Sequence, residues 1–479
     1  MTMQTRTSLL WSGAPVLAVL AVGCGPMGAG PADDGAARPT EVLDIPDARE
    51  RAGIRKDLIT KRLDAVVLPA MRAHDIDMWL TFSREHHVDP ILSEIGGGWG
   101  GVRNAYIFFD RGGDTPEKIF VGSHSLRDPT ISDAYDLLIF YGYTEEGVRP
   151  HLRRVIEERD PQRIGINVSP TLPMADGLTW TLRNFLEETL GETYASRMVP
   201  AELVIRDFRE MRIPEEIPVF AALCAWTVAW EEEAFSDAVI TVGETTIADI
   251  HWWMRQRTME LGLINEFLPG VRITRDGENL PINSADHVVM PGDILSVDAG
   301  VGYLDYRTDI KRTAYVLRPG ETEAPESIQN AWEKAMEVTD ILTSHWQPGA
   351  IAHEVWEATM EDVGAMGYVA GQPKTGGNEE VDPRQAEVGV YSHSLGNSTH
   401  DIGARVAVDW PFAYGDRVRY PLRADAWYSV ELHVSTPIPE WDGLVLPIRI
   451  EENARLLPEG DVHYFAPRQT ELLLIGRSR

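Results

Sequence analysis

The sequence has very little cysteine, with only Cys24 and Cys224 among its 479 residues. A disulfide framework of the kind that holds small secreted domains together is therefore excluded. Cys224 lies in an apolar stretch with helical periodicity, which predicts a buried and unreactive thiol. We expect the chain to fold without disulfide bonds.

Positive charge is also scarce, because 44 Lys and Arg residues stand against 74 Asp and Glu residues, for a net charge of −30. The phosphates of nucleic acids and the surfaces of anionic membranes would be repelled by such a chain. Nucleic acid is therefore excluded as a partner, and so is membrane binding through charge. The acidic surplus is typical of a hydrated surface and indicates no particular substrate.

The chain lacks short-period repeats and long low-complexity tracts, which leaves ordinary globular domains. Its 479 residues are too many for one ordinary core, so two domains are predicted. In residues 46–207, apolar strand-like runs alternate with helix-like stretches near Leu58 to Arg72 and Leu178 to Thr189, which predicts an α/β layer arrangement. Residues 208–479 form the second predicted domain.

The N-terminal segment has the composition of a secretory signal, with an arginine near its start, an apolar stretch of about a dozen residues and then small residues. Its string AVGC, ending at Cys24, resembles the lipobox of bacterial lipoproteins. That resemblance implies a signal peptide over residues 1–24, a lipid on Cys24 and a flexible tether over residues 25–45. We therefore expect an exported protein of the bacterial cell envelope that faces the periplasm and meets the membrane only through its lipid anchor.

Five residues of metal-ligand type lie in strand-like or strand-end contexts: Asp298, Asp309, His400, Glu431 and Glu451. Four carboxylates and one imidazole suit a pair of divalent ions better than a thiolate-bound structural zinc. Acids that converge on one pocket raise one another's pKa unless cations neutralise them. Because residues two apart share a strand face, Arg449 is expected beside Glu451 and His433 beside Glu431.

These segments resemble the prolidase, Xaa-Pro aminopeptidase, methionine aminopeptidase and creatinase superfamily. The metal ligands of that superfamily run Asp, Asp, His, Glu, Glu in chain order, and the separation of Asp298 from Asp309 (309 − 298 = 11) matches that of the first two. The Arg-x-Glu of Arg449 to Glu451 matches as well, and upstream strands resemble the extra N-terminal domain of the prolidase and creatinase branches. The resemblance implies an α+β fold, with a C-terminal pita-bread catalytic domain over 208–479 and an α/β creatinase-like domain over 46–207.

The resemblance also implies a chemistry and a role for each residue. Two divalent ions per chain are expected, manganese first, with cobalt, zinc or iron as alternatives. Asp309 and Glu451 would bridge the ions, Asp298 would complete one site, and His400 with Glu431 the other. Glu431 would carry the proton from attacking water to leaving amine, and Arg449 would orient Glu451 or the substrate. The implied activity is hydrolysis of the N-terminal amide bond of short peptides, and relatives with the extra domain commonly form homodimers.

The histidine assignment has an alternative. The family places its ligand histidine in a Gly-His-Gly-Ile-Gly context, of which the segment after His400 keeps a part. A register that starts from His393 puts Asn397 at the ligand position, and asparagine is a poor ligand for a catalytic transition metal. We therefore favour His400 as the ligand and predict that His393 is a nearby catalytic or substrate-contacting residue.

Two further histidines of the family pattern are missing, which leaves proline specificity open. The first would fall near Pro281, about seventeen residues before the first Asp, and the second on Ala407, seven residues after His400. His287, His393 or His433 could replace them, and His433 is predicted with Arg449 to contact substrate. Two other functions stay open: a hydrolase of the same fold acting on a non-peptide amide or C–N bond, as in the metal-free creatinase branch, and a catalytically silent binding or scaffold protein.

Overall fold

A six-stranded mixed sheet organises the N-terminal part of the computed structural model, which describes residues 45–98, 102–123, 131–142, 144, 146–371 and 382–477. Its strands are β1 (Met78–Arg84), β2 (Arg103–Phe109), β3 (Glu117–Gly122), β4 (Leu137–Phe140), β5 (Ile164–Ile166) and β6 (Met198–Pro200). They lie in the order β4-β3-β2-β1-β5-β6. The β1–β2 and β2–β3 pairs are antiparallel, and the β3–β4, β1–β5 and β5–β6 pairs are parallel. The predicted signal peptide, Cys24 and nearly all of the tether lie outside the described residues.

In the described ranges, five helices accompany this sheet: α1 (Ala48–Ala65), α2 (Val67–Arg72), α3 (Arg149–Arg159), α4 (Trp180–Ala195) and α5 (Glu202–Glu210). α1 begins where the Asp47 carboxylate accepts the backbone N–H groups of Arg49 and Glu50, which satisfies donors that the first turn leaves free. Apolar side chains on both faces of the sheet are buried against these helices. The α/β arrangement predicted for this part is therefore confirmed.

Among the described residues of the C-terminal part there are five more helices and fourteen strands. The helices are α6 (Glu216–Ala234), α7 (Ile247–Glu260), α8 (Glu326–Ser344), α9 (Ala352–Ala365) and α10 (Pro411–Tyr414). The strands are β7 (Ile264–Asn265), β8 (Gly270–Arg275), β9 (Glu278–Asn279), β10 (Ile294–Ala299), β11 (Val301–Tyr303), β12 (Tyr306–Arg307), β13 (Ile310–Val316), β14 (Val369–Ala370), β15 (Glu387–Val390), β16 (His393–Ser394), β17 (Trp427–Pro437), β18 (Val445–Leu456), β19 (Val462–Tyr464) and β20 (Leu473–Ile475).

Two antiparallel strand pairs form the centre of this part. β10 and β13 lie inside the sheet β20-β13-β10-β8-β9, and β17 and β18 lie inside the sheet β14-β15-β17-β18-β19, with β16 also paired to β17. β7, β11 and β12 form a small third sheet. One core packs α6 and α7 against β10 and β13, whereas another packs α8 and α9 against β17 and β18. The start of β13 lies beside β18, because the Asn453 side chain of β18 hydrogen-bonds the backbone of Asp309.

Buried ion pairs connect the N-terminal sheet region to the C-terminal part. The fully buried Arg209 of α5 lies 3.0 Å (Nη1 to Oε1) from Glu94 and 2.7 Å (Nε to Oδ1) from Asp401. Arg62 of α1 pairs with Glu216 of α6 at 2.7 Å. All described residues belong to one compact unit, Leu43–Arg479, and the domain boundary expected after residue 207 stays a prediction. Within the described ranges, no helix is long and apolar enough to cross a membrane.

Candidate metal centre

The register of the two central strand pairs brings the predicted acids together. On β10 and β13, Asp298 lies directly opposite Lys311. On β17 and β18, Glu431 lies directly opposite Glu451. Directly opposed side chains on one face of an antiparallel pair are close neighbours, so each pair contributes its charged residues to the same space. Asp309 immediately precedes β13 and faces the same centre.

Asn453 of β18 fixes the backbone of Asp309. Its Oδ1 accepts the Asp309 N–H at 3.1 Å, and its Nδ2 donates to the Asp309 carbonyl at 2.5 Å. Asn453 and Asp309 are both buried, and a buried amide group needs hydrogen-bond partners. This double hydrogen bond ties β13 to β18 at the level of the acid cluster.

The ammonium group of Lys311 lies in the middle of the carboxylates. Its Nζ donates to Glu431 Oε1 at 2.8 Å, donates to Glu451 Oε2, and lies 3.4 Å from Asp298 Oδ2. The Lys311 side chain is only 8% exposed. A buried ammonium is tolerated when carboxylates surround it, and Lys311 is in that situation.

His393 projects into the same cluster from β16 and is fully buried. Its Nε2 lies 3.5 Å from Glu451 Oε1, 3.7 Å from Glu431 Oε2 and 3.8 Å from Asp309 Oδ2. Its Nδ1 lies 3.1 Å from the Ser394 carbonyl oxygen, which can only accept, so Nδ1 carries the proton. Nε2 therefore faces the carboxylates and is the ring nitrogen that would bind an ion.

His400 lies at the rim of the cluster, and its side chain is 61% exposed. Its Nε2 is 4.0 Å from Asp309 Oδ2, and its ring meets that of His393 edge-on at 4.6 Å. The next residue, Asp401, is buried and paired with Arg209, which fixes the loop that carries His400. The predicted ligand His400 thus contacts the cluster from outside, and His393 lies at its centre.

The ligand atoms of these residues are close enough to share an ion. Three sets have atoms within 4.8 Å of one another: Asp309, His393 and His400; His393, Glu431 and Glu451; Asp298, Asp309 and Glu451. All five residues predicted from the sequence are therefore brought together, and His393 belongs to two of the sets. Which residues bind metal in solution stays a prediction.

Electrostatics within the cluster show that Lys311 only partly neutralises it. Burial, together with the charges of Glu451 and Asp298, raises the pKa of Asp309 well above its usual value. Burial would also raise the pKa of Glu451, but Lys311 and His393 hold it below its usual value. Burial opposes the charge of Lys311, but Glu431 and Glu451 raise its pKa well above the usual value. One ammonium against four carboxylates leaves the cluster suited to a further cation.

Arg449 and His433 lie beyond the cluster. They are directly opposite each other on β17 and β18, as strand alternation predicts. His433 Nε2 lies 3.3 Å from Glu387 Oε1, and its ring stacks on Tyr391 at 5.6 Å. Burial and the neighbouring Arg272 lower the pKa of Arg449 to about 10. Their predicted contact with substrate stays a prediction.

Sequence reasoning missed Lys311, although a signal was present. Lys311 stands two residues after Asp309, so strand alternation places both on one face, as it does for Arg449 and Glu451. The histidine spacing also has a simple interpretation in the structure. If the buried His393 is the ligand, the family's second histidine seven residues later falls on His400 rather than on Ala407.

The residues present fit one divalent ion better than two. Asp309 Oδ1 and His393 Nε2 are buried, and no described residue hydrogen-bonds to either atom. They offer one position for an ion. The space bordered by Asp298 and Glu451 contains the Lys311 ammonium, and a second ion there would be repelled by that positive charge.

Comparison with known proteins identifies the fold. Residues 225–456, which include every predicted ligand, match the model of metallopeptidase family M24. Among curated proteins, none matches the chain significantly. The X-Pro aminopeptidase from Thermotoga maritima MSB8 is similar in structure, with a TM-score of 0.62 at 15% identity over 85% of this chain and 99% of that chain.

Two further structures are similar at comparable levels. The prolidase from Pyrococcus horikoshii OT3 has a TM-score of 0.56 at 17% identity, over 87% of this chain and 99% of that chain. The Xaa-Pro dipeptidase from Bacillus anthracis has a TM-score of 0.56 at 15% identity, over 89% of this chain and 100% of that chain. The predicted α+β fold, with a pita-bread domain after an α/β N-terminal domain, is confirmed. The M24 match and these structures support the superfamily that the sequence indicated.

Proposed function

We propose, from the M24 match of residues 225–456, that this protein is a metal-dependent peptidase acting on the N-terminal amide bond of short peptides, like an Xaa-Pro aminopeptidase or prolidase. The observation that carries the proposal is the convergence of four carboxylates and the free Nε2 of His393 in one buried cluster. Manganese is our proposed ion because the set is rich in oxygen ligands. A homodimer is also proposed, as in the relatives with an extra N-terminal domain.

The two glutamates differ in what they can do. Glu451 is fully buried, and its Oε1 accepts the Ser429 hydroxyl at 2.5 Å while its Oε2 accepts from Lys311. Glu431 is 18% exposed, so it can meet a substrate. We assign the proton transfer from attacking water to leaving amine to Glu431, and a positioning role to Glu451. A divalent ion bound beside His393 would polarise the scissile carbonyl and acidify water.

The position of His400 supports a role in contacting the substrate. Its ring is exposed at the rim, while its loop is fixed through Asp401 and Arg209. On the side of the ring that faces the cluster, partial loss of water, with His393 and Arg405 nearby, lowers the pKa of His400 below its usual value, which leaves the imidazole neutral near pH 7. A neutral imidazole can donate one hydrogen bond and accept another. We propose that His400 hydrogen-bonds the peptide near the scissile bond.

Metal removal tests the proposed function. The full-length protein, supplied with manganese, is expected to release the N-terminal residue from Xaa-Pro dipeptides and tripeptides. Chelation should abolish the release, and manganese should restore it, because water and carbonyl lose their activating cation. Matched peptides with alanine in place of proline are the control. Cleavage of the alanine peptides alone would contradict proline specificity, and no cleavage of either would contradict the peptidase.

A metal-free hydrolase of a non-peptide amide or C–N bond is the second candidate. The Lys311 ammonium favours it, because it supplies a positive charge among the carboxylates without any ion. The same chelation series distinguishes the two. Hydrolysis of small amide or guanidino compounds that survives chelation would favour this second function over the peptidase.

We also propose that the protein is exported and held at the membrane by a lipid on Cys24. The sequence around Cys24 supports this proposal, since it resembles a lipobox. Cys24→Ser is expected to move the protein from the membrane fraction to the soluble fraction in bacterial cells. Cys224→Ser is the matched control, because Cys224 is buried, and it should stay with the membrane. An unchanged membrane fraction for Cys24→Ser would refute the anchor.

A further inference from the structure

We propose that Lys311 is a permanent cation in the place of a second metal ion, so that each chain binds a single divalent ion. The inference rests on the proposed metal site and is independent of the proposed peptide substrate. It differs from the two ions that the resemblance implies. Four features of the described residues support it.

The first feature is the placement of Lys311 by the fold. Lys311 is directly opposite Asp298 across β10 and β13, and its Nζ reaches Glu431 and Glu451 on the other strand pair. It therefore joins both central pairs, as a bridging ion would. Three carboxylates at hydrogen-bond or ion-pair distance are what a buried ammonium with three N–H donors requires.

The second feature is the division of the glutamate oxygens. Glu431 Oε1 and Glu451 Oε2 face Lys311. The opposite oxygens, Glu431 Oε2 and Glu451 Oε1, face His393 Nε2 at 3.7 and 3.5 Å. Each glutamate thus serves two cation positions with separate oxygens, and Lys311 already fills one of the two positions.

The third feature is the set of atoms around the other position. Asp309 Oδ1 and His393 Nε2 are buried, and the described residues provide no hydrogen-bond partner for either. Ligands about 2.1 Å from one ion are separated from one another by about 3 to 4 Å. The distances of 3.5, 3.7 and 3.8 Å from His393 Nε2 to the three carboxylates agree with that spacing.

The fourth feature is the burial of Lys311. Every residue of β13 is buried, and the Lys311 side chain is only 8% exposed. Withdrawing Nζ from the carboxylates would leave a buried ammonium without partners, which is strongly unfavourable. A second ion could enter only by displacing Lys311 at that cost.

A lysine differs chemically from the ion it replaces. Its ammonium neutralises and orients Asp298, Glu431 and Glu451, but it has no open coordination position for water or substrate. Substrate and attacking water would therefore meet a cation only on the His393 side. Hydrolysis at this centre would then use one ion and a fixed ammonium.

Metal stoichiometry tests the proposal without reference to any substrate. The full-length protein is loaded with manganese, freed of excess ion by gel filtration and analysed for metal per chain. We expect one ion in the wild type and two in Lys311→Thr, which removes the ammonium and opens the second position. Lys118→Thr is the matched control, because Lys118 is also 8% exposed and ion-paired, but with Asp64 in the N-terminal part. The control should stay at one.

Two ions in the wild type, or none, would overturn the proposal, as would a folded Lys311→Thr that stays at one. Electron paramagnetic resonance of the manganese-loaded wild type keeps the test decisive if that variant does not fold. An isolated six-line manganese signal is expected, and the signal of an exchange-coupled pair would overturn the proposal. A single ion without peptide cleavage would leave this inference standing and contradict only the proposed function.

Discussion

His393→Ala is expected to lose the bound metal and at least about 100-fold in kcat/KM on an Xaa-Pro peptide. Residues that only hydrogen-bond to a metal ligand typically contribute 10- to 100-fold to metal affinity or activity, and we propose His393 as a direct ligand. Its buried Nε2 faces three carboxylates and no described residue hydrogen-bonds to it, whereas the neighbouring His400 lies at the exposed rim. Metal content after dialysis and steady-state kinetics measure the two effects.

Two other histidines provide the controls. His433→Ala removes an imidazole of β17 that lies beside Glu387 and outside the three ligand sets, so metal content should not change. His400→Ala should keep the ion and lower kcat/KM, because His400 lies at the exposed rim. Loss of the ion in His400→Ala with retention in His393→Ala would instead support the assignment made from the sequence.

Arg209→Met is expected to lower the free energy of unfolding by about 3–5 kcal/mol, because removing one partner of a buried ion pair leaves the other charge without compensation. Although burial opposes its ionisation, Asp401 has a pKa below its usual value because Arg209 and Arg212 lie beside it. Burial raises the pKa of Glu94 to about 7 despite Arg209. Asp401 is therefore the partner whose charge loses more stabilisation when Arg209 is removed. Urea unfolding followed by circular dichroism measures the change.

Arg154→Met is the matched control for Arg209→Met. Arg154 is 59% exposed and lies 3.8 Å from Glu158 on the surface of α3, where an ion pair contributes little. Its unfolding free energy should fall by less than about 1 kcal/mol. Equal effects of the two substitutions would show that the Arg209 pairs do not stabilise the fold. Arg209→Met should also lower kcat/KM, since Asp401 would no longer fix His400.

The α/β layers of the N-terminal part could be predicted from the sequence because their signals are local, whereas the pita-bread fold of the C-terminal part was implied by the resemblance. Apolar runs such as that of β1 and the helical stretches of α1 and α4 need only their own residues to be recognised. The acids of the cluster were found because a β-branched strand that contains an unexplained carboxylate needs a partner. Their roles depended on the resemblance, since spacing alone does not assign a ligand to an ion.

The positions of Lys311 and His393 could not be predicted from the sequence, because they depend on contacts between strands that are distant in the chain. Strand alternation places Lys311 on the same face as Asp309, but the carboxylates that its ammonium contacts, Glu431 and Glu451, lie on other strands of the chain. The position of His393 depends on β16 pairing with β17, a two-residue strand that no periodicity identifies. The sequence favours His400 as the ligand, whereas the structure places the buried His393 at the centre of the cluster and the exposed His400 at its rim.

The double hydrogen bond from Asn453 to the backbone of Asp309 has a consequence for the protein before it meets any metal. Because the Asn453 side chain joins the two strand pairs through the backbone of Asp309, the ligand geometry is preorganised before any ion binds. The apoprotein should therefore be fully folded, unlike small zinc domains that unfold on chelation. Loading would be a simple binding step, so this chain could exchange its ion repeatedly with its surroundings while its architecture stays intact.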